Sequence, residues 1–177
     1  MEGEGRSPRR EDLRRTTLAI AAQYTRSTLR GGDVVVSIGP AYGKVAVLST
    51  ELDGANLTQD TVRVACRPDR ILPRYLVWVL GSSTALNFWD TEIAGATFRH
   101  LNLGTLSATP IPLPPLDEQR RIATQLDEQT AKIDAFISRA ERFIELVKER
   151  RSALITASVT GQIDVRTTSS TSVGEGV

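Results

Sequence analysis

From Pro110 to Gly161 the chain carries one pattern that few folds can accommodate. Four prolines (Pro110, Pro112, Pro114, Pro115) precede a run that meets no further proline or glycine until Gly161. Within it, side chains recur in alternating steps of four and three: Ile122, Leu126, Gln129, Ile133, Phe136, Ala140, Phe143, Val147, Arg150, Leu154, Ala157. That spacing predicts a helix lying along another helix. A helix of ~45 residues reaches roughly 65–70 Å. A domain of ~100 residues has a radius of gyration of about 13 Å, so such a helix is expected to overhang it. The apolar edge would then be wet, at roughly 1.5–3 kcal/mol for each large side chain. Burial against a partner helix is therefore expected, through Ile122, Leu126, Ile133, Phe136, Ile137, Ala140, Phe143, Ile144, Val147 and Leu154. Gln129 and Arg150 interrupt the seam, and polar positions there can set register.

Composition narrows the remainder. With 177 residues, 40% of them hydrophobic, the chain has room for one medium domain plus an extension. The net charge is +1, so charge is informative only by segment. Residues 1–30 hold seven arginines against four acidic residues. One cysteine, Cys66, rules out an intrachain disulfide and fits a reducing, cytoplasmic compartment. No apolar run is long enough for a membrane span, and the arginine-rich start lacks the apolar stretch of a secretory signal.

Ahead of the prolines the pattern is that of a small α+β domain. Leu13–Arg30 is compatible with a short helix or with a strand at Thr16–Ile20. Val34–Ile38 reads as a buried strand, Lys44–Leu48 as its hairpin partner across Gly39-Pro40, and Thr61–Cys66 as a half-buried strand. Pro73 suits the first turn of a helix through Tyr75, Leu76, Val79 and Leu80. Ser82 or Ser83 can cap a second helix that ends at Gly95, and Asn102 can cap one further turn. Ile111–Leu113 is read as a last strand at a sheet edge. Asp117 and Glu118 at one end of the long helix, and Lys148, Arg150 and Arg151 near the other, suit its dipole. Gly161 is a plausible C-terminal cap. The fold expected is α+β, a small mixed-sheet domain followed by one long C-terminal coiled-coil helix. Its divisions are a mobile N-terminus at 1–12, the domain at 13–115, the helix at 116–161 and a flexible tail at 162–177.

Two blocks of residues carry a resemblance. The segment PIPLPPLDEQRRIATQLDEQTAKIDAFISRAERFIELVKERRSALITASVTGQIDV is similar to the end of specificity subunits of type I restriction–modification systems. RSTLRGGDVVVSIGPAYGKVAVL, LDGANLTQD and GATFRHLNLGTL resemble a target recognition domain of the same family. The resemblance spans roughly residues 20–166. It implies a sequence-specific DNA-recognition subunit with no catalysis and no cofactor of its own. Such a subunit directs methyltransferase subunits, and through them the restriction subunit, to a bipartite site on double-stranded DNA. A full specificity subunit has two recognition domains and two long helices packed antiparallel as a spacer. This sequence shows one of each, and its recognition domain starts late. The resemblance thus implies a half-size or truncated subunit, able to form a homodimer or to pair with another specificity subunit through antiparallel helices. An alternative is a scaffold or assembly modulator that binds methyltransferase or specificity subunits through its helix without reading DNA.

Candidate DNA contacts follow from residue type and loop position. Tyr42 and Lys44 project from the glycine-rich hairpin turn, whose spacing does not match a phosphate-binding loop because Val45 follows Lys44. Asn56 and Gln59 carry amides suited to adenine, although polar turn residues commonly bond their own backbone. Thr97, Arg99, His100 and Asn102 form a second polar loop, and Arg63 alternates outward on its strand. His100 is the one histidine, so no histidine-based metal cluster can form. No Asn-Pro-Pro-aromatic motif or nucleotide-binding fingerprint occurs, and Pro68-Asp69 has no Glu-x-Lys partner at nuclease spacing.

Overall fold

A computed structural model describes residues 7–94 and 99–162. The chain divides into two compact units, Met1–Gln129 and Thr130–Val177.

The first unit is built around three short strands, β1 (Val34–Ser37), β2 (Val45–Val47) and β3 (Thr61–Val64), in the order β2-β1-β3. Both pairings are antiparallel, Val35 lying opposite Ala46 on one side and Arg63 on the other. The sheet is thus antiparallel where mixed pairing was expected. The connections explain it, because a parallel pair needs a long crossover and β1 and β2 are joined by a short turn. β1 is central, and its Val-Val-Val run is continuous because both faces are covered. Val34 and Val36 are fully buried in a core with Leu76, Leu80, Trp89 and Leu101. Val35 packs on the other face against Leu29, Leu48 and Leu52.

Helix α1 (Leu18–Ala21) is capped by the Thr17 hydroxyl and runs into a 3-10 segment at Ala22–Ser27, which settles the helix-or-strand choice for this region. Helices α2 (Pro73–Leu80) and α3 (Ser83–Ile93) cover the Val34/Val36 face. Pro73 occupies the first turn of α2, and Ser82 Oγ accepts from Ala85 N at the start of α3. Asn102 caps α4 (Leu103–Ser107), its Oδ1 accepting from Thr105 N at 2.8 Å. Gly95, expected to end α3, lies outside the described residues, as does the tail beyond 162.

Residues 111–113 form no strand. Prolines at alternate positions 110, 112 and 114 remove every amide donor along one edge, so no ladder can form there. Side chains replace it: Tyr75 Oη donates to Pro112 O at 3.1 Å, and Gln119 Nε2 donates to Pro114 O at 2.8 Å.

Helix α5 (Leu116–Val159) is a single 44-residue element, about 66 Å long at 1.5 Å per residue. Its first turns belong to the first unit. Gln119 is completely buried there, accepting from Leu72 N at 2.9 Å and donating to Arg70 O at 2.8 Å. Two turns on, Asp127 Oδ1 accepts from Arg74 Nε and Trp78 Nε1, each at 2.8 Å, while the Arg74 guanidinium stacks on the Trp78 ring. Burial pushes the Asp127 carboxyl up. The Arg74 and Trp78 hydrogen bonds and the Arg74 charge outweigh it and hold the group below its ordinary range. In the second unit α5 ends in a Schellman motif: Gln162 N donates to Ala157 O, Gly161 N to Ser158 O, and Gly161 takes φ +73°. Asp117 and Glu118 occupy the first turn, but the last turn contains no basic residue. Arg151 is about two turns from the end, beyond the range of the dipole.

Candidate nucleic-acid interface

Three loops converge at the C-terminal end of β1. Ile38, just past the strand, donates its N–H to Asp60 O at 2.8 Å and accepts from Leu101 N at 2.9 Å. The hairpin turn, the loop before β3 and the loop after α3 are thereby tied to one point. Gly43 suits the hairpin turn, with φ +89°, a conformation side-chain-bearing residues rarely adopt; a Cβ there would also sit 2.8 Å from Leu86 Cδ2, so that leucine would have to shift. The turn then delivers Tyr42 over α3, where its hydroxyl donates a short hydrogen bond to Asp90 Oδ1. Arg99 Nη2 donates to the same carboxylate at 3.2 Å and to Tyr42 Oη at 3.4 Å. The Asp90 hydrogen bond, helped by burial, raises the Tyr42 hydroxyl above its ordinary value, so it remains a neutral donor. His100 Nε2 lies 3.6 Å from Asp60 Oδ1. Lys44 and Gln59 are exposed beside these groups in sequence.

Of the residues expected to meet DNA, this edge gathers Tyr42, Arg99 and His100. Asn102 is there too, but its side chain is engaged as the α4 cap. Thr97 lies outside the described residues. Two others sit elsewhere. Asn56 Nδ2 donates to Tyr24 O, Ser27 Oγ and Thr28 Oγ1 at 3.1–3.5 Å, so its amide ties the N-terminal segment to the sheet. Arg63 lies on the edge strand β3, on the face opposite the main core, and pairs with Asp33 at 3.6 Å. Asp60 and Asp90 were not among the expected residues. Nothing in their spacing marks them, since they gain a role only when the fold brings Arg99 and His100 to them.

The expected pairing residues divide as well. Ile122 and Leu126 line an apolar hollow of about 260 Å³ together with Tyr75, Trp78, Pro110 and Pro112, all in the first unit. From Ile133 onward the seam is exposed, Phe136 at 73% and Phe143 at 67%. Among the described residues no group of His, Cys, Asp and Glu side chains could hold a metal ion, and no helix is long and apolar enough to cross a membrane.

Comparison with known proteins decides the family. The profile of the type I restriction modification DNA specificity domain matches residues 9–142. The chain belongs to that family. It is 34% identical over 110 residues to the type I restriction enzyme EcoBI specificity subunit of Escherichia coli, covering 62% of this chain and 23% of that protein. It is 31% identical over 100 residues to the StySPI specificity subunit of Salmonella potsdam, covering 56% and 22%. The matched stretch thus spans about a quarter of the curated relatives' length. One structural neighbour comes from work on assembly and conformational transition of the type I R-M system, with TM-score 0.56 and 25% identity over 74% of this chain and 31% of that one. The HsdS subunit of Thermoanaerobacter tengcongensis shares the fold at TM-score 0.55 and 19% identity, over 81% and 36% of the two chains.

Proposed function

We propose that this chain is a non-catalytic DNA-recognition component of a type I restriction–modification system. Its first unit reads part of a target through the edge formed by Tyr42, Lys44, Gln59, Arg99 and His100. Residues 130–159 of α5 pair with a second helix. The assembled subunit docks methyltransferase subunits, and through them the restriction subunit, at a bipartite site. The observation that carries this reading is the specificity-domain match over residues 9–142. The loop edge supports it chemically. Loops held by a rigid sheet are the usual carriers of recognition. Arg99 offers a planar donor fork matched to guanine O6 and N7, and Gln59 offers an amide matched to adenine.

Methylome sequencing tests the proposal. A host that carries the methyltransferase subunit should show a two-part methylated motif only when this chain is co-expressed. Arg99→Gln should weaken or alter one base preference, since a bidentate base contact is worth about 1–3 kcal/mol. A host without any new motif would sink the DNA-reading role. The uncovered apolar edge of α5 would then favour the second reading, a scaffold that binds methyltransferase or specificity subunits through its helix.

A further inference from the structure

The loop edge is nearly neutral. Lys44 and Arg99 are balanced there by Asp60 and Asp90, and Asp90 already holds Arg99. A charge-balanced edge can discriminate bases, but it supplies little attraction for a polyanion. Most non-specific affinity for DNA comes from arginine and lysine neutralising phosphates. The first unit carries that charge in another place.

On the outer side of the sheet, an open groove of about 470 Å³ is lined by Thr25, Arg26, Thr28, Arg30, Asp33 and Arg63. Three guanidinium groups stand against one carboxylate, a net of +2. The groove is held in shape by bonds already described. The Asn56 amide ties the Tyr24 carbonyl to the Ser27 and Thr28 hydroxyls, and Asp33 Oδ2 accepts from Arg30 N at 2.8 Å while facing Arg63. Arg26 and Arg30 are exposed and have no carboxylate partner among the described residues. Arginine's rigid fork pairs bidentately with phosphate oxygens, and its weak hydration lowers the cost of doing so. The lining carries no amide side chain, so it can grip a backbone but is poorly equipped to read a base.

We infer that this groove is a sequence-independent clamp for the phosphates of duplex DNA, with Arg26, Arg30 and Arg63 as the contacts and Asn56 as the residue that positions its wall. The inference rests on the DNA-reading role proposed above and divides the labour within it: the groove supplies affinity, the loop edge supplies choice.

The full chain can be titrated with a fluorescent ~25-bp duplex of arbitrary sequence, followed by anisotropy at several salt concentrations. Joint Arg26→Gln and Arg30→Gln changes should lower affinity on the order of tenfold per lost contact near 50 mM salt. They should also flatten the dependence of log affinity on log salt by about 0.9 per contact. Arg63→Gln should act in the same direction. Arg139→Gln with Arg142→Gln removes equal charge from exposed positions on α5 and should change neither quantity. Cys66 gives the location independently, being the chain's one cysteine and part of the groove lining. Saturating duplex should slow its alkylation severalfold in the unmodified chain and much less in the double variant. If duplex binds but neither the salt slope nor Cys66 alkylation responds, the groove inference is overturned and DNA reading stands. If the unmodified chain shows no salt-dependent duplex binding with or without its methyltransferase subunit, DNA reading falls and the groove falls with it.

Discussion

Gln119 shows how one side chain can decide where an element begins. It belongs to the Pro-Pro-Leu-x-Glu-Gln stretch, where a surface glutamine near a helix start would be unremarked. The fold buries it completely and uses its amide in full, with Leu72 N as donor and the Arg70 and Pro114 carbonyls as acceptors. These are backbone groups of two loops without regular structure, and burying them unpaired would cost about 1–3 kcal/mol each. Gln119→Leu preserves apolar volume but strands them. Urea unfolding should show a lower midpoint at unchanged slope, with a loss of roughly 2–4 kcal/mol. A loss under about 0.5 kcal/mol would mean that water reaches these groups instead. The same logic separates Asn56 and Asn102 from the base readers proposed for the sequence. Asn56 Nδ2 and Asn102 Oδ1 are committed to backbone groups and neighbouring hydroxyls, so substitution there acts on the scaffold first.

Helix α5 is one element with two environments. Over residues 116–129 it contributes Gln119, Ala123 and Asp127 to the packing and polar ties of the first unit. Over residues 130–159 its large apolar side chains are exposed, and the Lys148–Glu145 ion pair is a surface contact worth about a few tenths of a kcal/mol at most. A second helix covering Phe136 and Phe143 would recover roughly 1.5–3 kcal/mol for each ring buried. Phe136→Glu together with Phe143→Glu should therefore turn an associating chain into a monomer by light scattering, with helix content retained because glutamate is a good helix former. Association that survives both changes would place the pairing surface elsewhere.

At the scale of the whole molecule, pairing and reading are linked by symmetry. Two copies joined through antiparallel helices would be related by a twofold axis, and each would present the same loop edge. Such an assembly must recognise an interrupted palindrome, as symmetric dimers do on DNA generally. Methylome sequencing should return two identical half-sites in inverted orientation when this chain is the only specificity component. Two unlike half-sites would show that its partner is a different specificity chain. Much of this architecture is legible in the sequence. Heptad spacing marked α5, the apolar Val34–Val36 run marked a strand buried on both faces, and Pro73, Ser82, Asn102 and Gly161 marked helix ends. These signals are local, since periodicity and capping are properties of residues a few positions apart. The pairing of β3 with β1, the missing strand at 111–113, the Asp90 contact with Tyr42 and Arg99, and the meeting of Arg26 and Arg30 with Arg63 were not legible. Each joins residues tens of positions apart, and only packing of the valine face of β1 on α2 and α3 sets those distances. The sequence by itself determined the β1 strand, the helices from Pro73 and Ser82, and the apolar edge of α5, because backbone sterics and side-chain periodicity act over short range. The tertiary structure alone decided which polar groups are spent on the scaffold and which are left exposed at the loop edge, because that depends on contacts between residues far apart in the chain.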